Sequence, residues 1–90
     1  MEVHLSDFKI VPAALTANAG VNTFDVRNDG PTPHNLTIKD VSGRTRGATR
    51  DLKPGEAATL TIALPAGSYT AFCSLPGHSS LGMNDALTVG

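Results

Sequence analysis

An antiparallel β-sandwich is the fold class this sequence predicts, and three observations predict it. Short segments alternate apolar with polar residues. Gly, Pro, Asn and Asp cluster between those segments. No stretch carries the apolar periodicity of an amphipathic helix.

The elements follow in order. A first strand is expected over Val3 to Val11, with Val3 and Leu5 inward and Phe8 and Ile10 continuing after a change of face that implies a bulge. Pro12-Ala13-Ala14-Leu15 leaves that strand. Ala19-Gly20 turns into a strand from Val21 to Arg27, in which Val21, Thr23 and Asp25 alternate against Asn22, Phe24 and Val26. Asn28-Asp29-Gly30-Pro31 is a strong turn signal. His34 opens a third strand with Leu36 and Ile38 on one face. Ser42 to Lys53 is polar and glycine-punctuated, and reads as a loop. Lys53-Pro54-Gly55-Glu56 turns into Ala57 to Leu64, where Leu60, Ile62 and Leu64 share a face. Pro65-Ala66-Gly67 turns into Ser68 to Cys73, and Ala86 to Val89 is the last strand. One domain over residues 1–90 is the expectation for a chain of this length. Such a chain buries about 60–65% of its unfolded surface, so a metal bound to the folded state adds to a modest core.

The formal net charge is −1, so nothing draws the whole molecule towards nucleic acid or anionic lipid. No apolar run approaches the ~20 residues of a membrane span. The N-terminus, MEVHLSDFKI, lacks the basic-then-apolar pattern of a signal peptide, and Met1 is expected to start a mature or trimmed domain. The single cysteine, Cys73, excludes an intrachain disulfide and the zinc sites built from cysteine pairs. It is therefore a core residue, a nucleophile or a metal ligand.

The stretch Cys73-Ser74-Leu75-Pro76-Gly77-His78-Ser79-Ser80-Leu81-Gly82-Met83 decides between these. It joins two expected strands, so the sheet holds both its ends. Thiolate and thioether are soft ligands and imidazole is borderline, a mixture suited to copper in two oxidation states. A Cys/His/His plane with a weak axial Met is the blue-copper electron-transfer arrangement. The loop supplies Cys73, His78 and Met83. His34, after the rigid Pro31-Thr32-Pro33 turn, is the candidate for the second imidazole.

These residues also carry a resemblance. Pro33-His34-Asn35 before an alternating strand resembles the first-histidine motif of plastocyanin, and Tyr69 to His78 resembles the metal-binding end of azurin. Leu52-Lys53-Pro54-Gly55-Glu56 and Leu64-Pro65-Ala66-Gly67-Ser68-Tyr69 are similar to phrases that recur in cupredoxins. The resemblance runs from Val21 to Val89 and implies the cupredoxin Greek-key sandwich, one type 1 copper per chain, and His34, Cys73, His78 and Met83 as its ligands. The gap from His78 to Met83 is one residue longer than azurin's, and that from Cys73 to His78 is longer than plastocyanin's. The loop is nearer to the auracyanin type. In such proteins the asparagine after the first histidine ties the ligand segments together and its amide points at the sulfur. Asn35 and Ser74 stand in the matching places, and Pro76 limits how many backbone donors reach the sulfur.

Taken alone, Cys73 reads as a small core residue, His34 as a loop histidine and Met83 as core filler; the joint pattern makes them ligands. His4 reads as a surface or edge-strand residue. Asn35-Leu36-Thr37 also matches a glycosylation acceptor, a weak signal. Arg44, Arg46, Arg50 and Lys53 read as a solvated loop in preference to a docking patch for an acidic partner. A nucleophilic Cys/His enzyme would need a base, an oxyanion hole and a third orienting group, and would leave Met83 without a role. The expectation is therefore a monomeric one-electron carrier and not an enzyme. Redox proteins would dock transiently near His78, on an apolar patch of Leu75, Pro76, Gly77, Leu81 and Gly82 bordered by Pro31, Pro33 and Ala13-Ala14-Leu15. The alternatives are copper storage or delivery, or a module of a larger copper enzyme. The resemblance implies a periplasmic or other extracytoplasmic location.

Overall fold

The computed structural model describes residues 1–75, 77–78 and 81–90. Among them run nine strands: β1 (Glu2–Ser6), β2 (Lys9–Val11), β3 (Ala14–Ala17), β4 (Gly20–Asn28), β5 (Thr37–Asp40), β6 (Thr45–Ala48), β7 (Ala57–Leu64), β8 (Gly67–Phe72) and β9 (Asn84–Val89). One sheet has the order β2-β1-β4-β7 and the other β3-β9-β8-β5-β6. The β1–β4 and β3–β9 pairs are parallel and the rest antiparallel. The expected all-β sandwich is therefore the observed architecture.

Alternation along the strands builds the core between the sheets. Phe24 and Val26 of β4, Val3 and Leu5 of β1, and Leu87 of β9 are buried there, with polar neighbours such as Thr23 and Asp25 turned out. The face assigned to Asn22, Phe24 and Val26 is the inward one, and Leu64 of β7 is buried with Leu60 and Ile62 half-buried on its side.

Four expectations are corrected. Val3 to Val11 is a hairpin and not one bulged strand: Leu5 lies opposite Ile10 and Ser6 opposite Lys9, so the change of face marks a reversal at Asp7-Phe8. Ala14-Leu15 does not merely leave the first strand; it belongs to β3, which crosses to the other sheet beside β9. The polar stretch from Ser42 to Lys53 contains β6, an edge strand whose side chains are mostly exposed and so leave no apolar pattern. The β5–β6 turn is closed by the Asp40 carboxylate, which accepts from Ser42 N (3.0 Å), Ser42 Oγ (2.5 Å) and Arg44 N (3.1 Å). The Ser42 hydroxyl first, and then the backbone amides and Arg46, hold its carboxyl below the usual value. Arg46 lies 3.6 Å from Asp40 and Arg50 3.5 Å from Glu56, so the basic cluster is partly paired. His34 opens no strand. It forms an isolated bridge with Leu52, and β5 begins at Thr37.

Candidate metal centre

His34 is wholly buried. Its backbone is pinned in both directions to Leu52, donating at 3.0 Å and accepting at 2.8 Å. Asn28, the last residue of β4, braces this segment from behind. Its Nδ2 donates to Thr32 O and Leu52 O, both at 2.8 Å, and its Oδ1 accepts from Gly30 N at 2.9 Å. A turn residue in the sequence is thus a buried clamp in the structure.

Cys73 follows the end of β8, also wholly buried. Its N–H donates to Met83 O at 3.1 Å, closing the base of the loop. His78 O accepts from Leu81 N and Met83 N, each at 3.1 Å, so the two ends of the loop are tied through His78. The His78 ring is half-buried and Met83 is wholly buried. Pro76, Ser79 and Ser80, and with them the role given to Pro76, lie outside the described residues.

The structure brings three of the four candidate ligands to one point. One donor atom from each of His34, Cys73 and His78 lies within 4.8 Å of the others. His34 Nδ1 is 3.1 Å from His78 Nδ1, which is 3.6 Å from Cys73 Sγ. Met83 is tied to Cys73 and His78 through its backbone O and N.

Asn35 ties the two ligand segments together. Its N–H points at Cys73 Sγ at 3.5 Å. Its Nδ2 donates to Ser74 Oγ at 2.8 Å and to Asp51 Oδ1 at 2.9 Å, and its Oδ1 accepts from Ser74 N at 2.9 Å. The Asn35–Ser74 tie was legible in the sequence; Asp51 was not.

A third segment enters the centre without a sequence signal. At the tip of the β1–β2 hairpin, Asp7 Oδ1 lies 2.6 Å from His34 Nε2 and accepts from Thr32 Oγ1 at 2.6 Å. The Thr32 hydroxyl first, then the His34 bond and the two histidine rings, hold the Asp7 carboxyl below its usual value against the opposing effect of burial. Phe8 stands edge-on to both imidazoles, with centroid distances of 6.3 Å to His34 and 5.1 Å to His78. Two glycines leave room for this tip. A Cβ at Gly30 would meet Asp7 Oδ1 at 2.9 Å, and one at Gly82 (φ +127°) would meet Phe8 O at 2.6 Å.

The chemistry of the donors tests whether a metal fits. An ionised carboxylate only accepts, so the 2.6 Å contact puts the proton of a neutral His34 ring on Nε2. Nδ1 then presents a lone pair towards a second imidazole nitrogen and a sulfur. One proton can satisfy a single pair of these atoms, whereas one cation satisfies all three. Sulfur and imidazole donors suit a transition metal and not calcium or magnesium, which take oxygen. The residues fit a metal ion.

The apolar patch is partly as expected. Leu81 is 62% exposed, and Pro31, Pro33 and Ala14 are exposed as well. Leu15 is not part of it: it is buried in β3, and Leu75 is half-buried against the core. Among the described residues no helix is long and apolar enough to cross a membrane.

The family model for a cupredoxin-like domain matches residues 1–83. Among solved structures, the dithionite-reduced auracyanin of the photosynthetic bacterium Roseiflexus castenholzii is 21% identical. The match covers 99% of this chain and 94% of that one, with a TM-score of 0.88. Auracyanin A, a "blue" copper protein from the green thermophilic photosynthetic bacterium Chloroflexus aurantiacus, is 18% identical over 100% of this chain and 97% of its own, with a TM-score of 0.86. A multicopper oxidase is 19% identical over 99% of this chain but 41% of its own, with a TM-score of 0.77. No curated protein sequence matches the chain. At these identities the structural likenesses are likenesses of fold.

Proposed function

The chain belongs to the cupredoxin-like domain family, and from that premise we propose that His34, Cys73 and His78 would hold one copper ion, with Met83 as a weaker fourth donor, and that the chain carries single electrons between redox proteins. The observation that supports this reading is the convergence of one donor atom from each of His34, His78 and Cys73 within 4.8 Å, with His78 Nδ1 3.1 Å from His34 Nδ1 and 3.6 Å from Cys73 Sγ. Copper bound there supplies a one-electron couple.

The chain's own residues do the rest. Leu52 fixes the backbone of His34, and the Cys73–Met83 bond fixes the loop, so the donors keep their places whichever charge they carry. The N–H of Asn35 directed at Cys73 Sγ disperses charge on the thiolate, which tunes the centre. Phe8, edge-on to both imidazoles, shields them from water. His34 is wholly buried and His78 is not, so the His78 edge is the proposed port, with Leu81 beside it as the contact for a partner. The reading contains no bond-making step and no substrate. An extracytoplasmic location belongs to the same proposal. The fold likeness to a multicopper oxidase, of whose chain only 41% is covered, favours a module of a larger copper enzyme as the second reading.

Copper(II) titration of the thiol-intact protein tests the proposal. It should saturate at one ion per chain with an intense visible band that disappears on reduction, and Cys73→Ala should be colourless. A colourless copper-loaded parent would refute the carrier reading. Fast electron self-exchange separates a carrier from a storage protein.

A further inference from the structure

The hairpin tip makes a contact that the four-ligand pattern does not account for. His34 is wholly buried, and its Nε2 meets Asp7 Oδ1 at 2.6 Å, with Thr32 Oγ1 as a longer neighbour at 3.3 Å. We infer that Asp7 is a positioning residue for His34: its carboxylate fixes the ring as the Nε2–H tautomer, aims Nδ1 at His78 and Cys73, and sets a negative charge beside the ring that favours the more oxidised state of the centre. The redox part of this inference rests on the copper reading given above; the tautomer part does not.

Two further features of the fold support it. Thr32 Oγ1 donates at 2.6 Å to the same carboxylate oxygen, so Asp7 is held in place and does not swing freely. Gly30 is buried under the tip, where a Cβ would lie 2.9 Å from Asp7 Oδ1 and 3.0 Å from Ser6 Cα. The chain thus keeps clear the space through which the carboxylate reaches the imidazole. A carboxylate on the far nitrogen of a ligating imidazole makes the ring a stronger donor and fixes its orientation. Charge-assisted contacts of this kind are about twice as strong as neutral ones. Of the two imidazoles, His34 is the one that receives this carboxylate.

Two substitutions separate charge from geometry. Asp7→Asn keeps an oxygen that can accept from Nε2–H and removes the charge. The blue band should persist while the ratio of copper(I) to copper(II) affinity rises about tenfold, a potential higher by about 59 mV for one electron. Asp7→Ala removes both. Nitrogen-15 NMR of the metal-free protein, at a pH where the ring is neutral, should show His34 as Nε2–H in the parent and a shift towards Nδ1–H in the variant. Copper(II) affinity should fall about 10–100-fold in Asp7→Ala. An unchanged potential in Asp7→Asn, or an unchanged tautomer in Asp7→Ala, would overturn the inference. Should the parent prove colourless, the carrier reading fails, and the metal-free tautomer measurement still decides whether Asp7 positions His34. If Asp7→Ala does not fold, the metal-free parent and the potential of Asp7→Asn still decide: His34 as Nδ1–H in the parent, or an unchanged potential in Asp7→Asn, would overturn the inference.

Discussion

Truncating Asn35 to alanine removes a set of hydrogen bonds whose loss can be weighed partner by partner. The carboxamide donates to Ser74 Oγ (2.8 Å) and Asp51 Oδ1 (2.9 Å) and accepts from Ser74 N (2.9 Å) and Thr37 Oγ1 (3.1 Å). Each such bond contributes about 0.5–1.5 kcal/mol net. Asp51 and Ser74 Oγ sit on exposed residues, so water replaces those bonds at little cost. Thr37 is 5% exposed, and its hydroxyl is left without this acceptor. The Ser74 N–H is the other donor that loses its partner. The expected loss is about 2–3 kcal/mol, dominated by those two donors. For a chain of this size that corresponds to a fall in Tm of about 10–20 °C. Urea and thermal denaturation of the metal-free protein measure it without any contribution from a bound ion. The Asn35 N–H to Cys73 Sγ contact belongs to the backbone and survives the substitution, so the copper spectrum should change less than the stability. A loss under about 0.5 kcal/mol would mean that Asn35 does not tie the ligand segments together.

Met83→Leu should keep the blue colour and raise the potential, and Met83→Gln should lower it through a harder oxygen donor; voltammetry unchanged in both would remove Met83 from the proposed ligand set. Leu81→Lys should slow electron self-exchange several-fold or more with the copper spectrum intact, since Leu81 is 62% exposed beside the loop; an unaltered rate would place the port elsewhere. Asp40 has a folded pKa below its ordinary 3.8. Its carboxylate therefore stabilises the fold fully above that value and loses the contribution as pH falls through the folded pKa. Asp40→Asn should thus be less stable than the parent at neutral pH, with the gap closing below pH 3.8, as read from urea midpoints along a pH series.

Much of the candidate centre was legible because its candidate donors are local. Cys73, His78 and Met83 lie on one connection between β8 and β9, and the softness of their side chains points to one chemistry. His34 and Asn35 follow a proline turn, and Ser74 sits next to Cys73, so their pairing was readable from the resemblance these motifs carry. The strands β4, β7, β8 and β9 announced themselves by alternation. The hairpin at the N-terminus did not. A change of face between Leu5 and Ile10 fits a bulge and a reversal equally, and Ser6-Asp7-Phe8-Lys9 has no glycine or proline to mark a turn. Edge strand β6 was hidden for the opposite reason: Thr45, Arg46 and Ala48 face solvent and leave no inward periodicity.

What the local pattern leaves out is how the donors are aimed. Asp7 reaches His34 across 27 positions of sequence, Asn28 reaches Leu52 across 24, and Asn35 reaches Cys73 across 38. None of these contacts changes the spacing of histidine, cysteine and methionine, and each acts on a ligand or on the backbone that holds one. Spacing therefore determines whether a metal can be held, while long-range contacts determine the tautomer, the charge beside the ring and the exclusion of water. Asp7 is the sharpest case, since Asn at that position would leave every ligand and every strand intact and still remove a charge 2.6 Å from His34 Nε2. Two chains with identical ligand loops could then differ in potential through a residue at the tip of a hairpin in the other sheet.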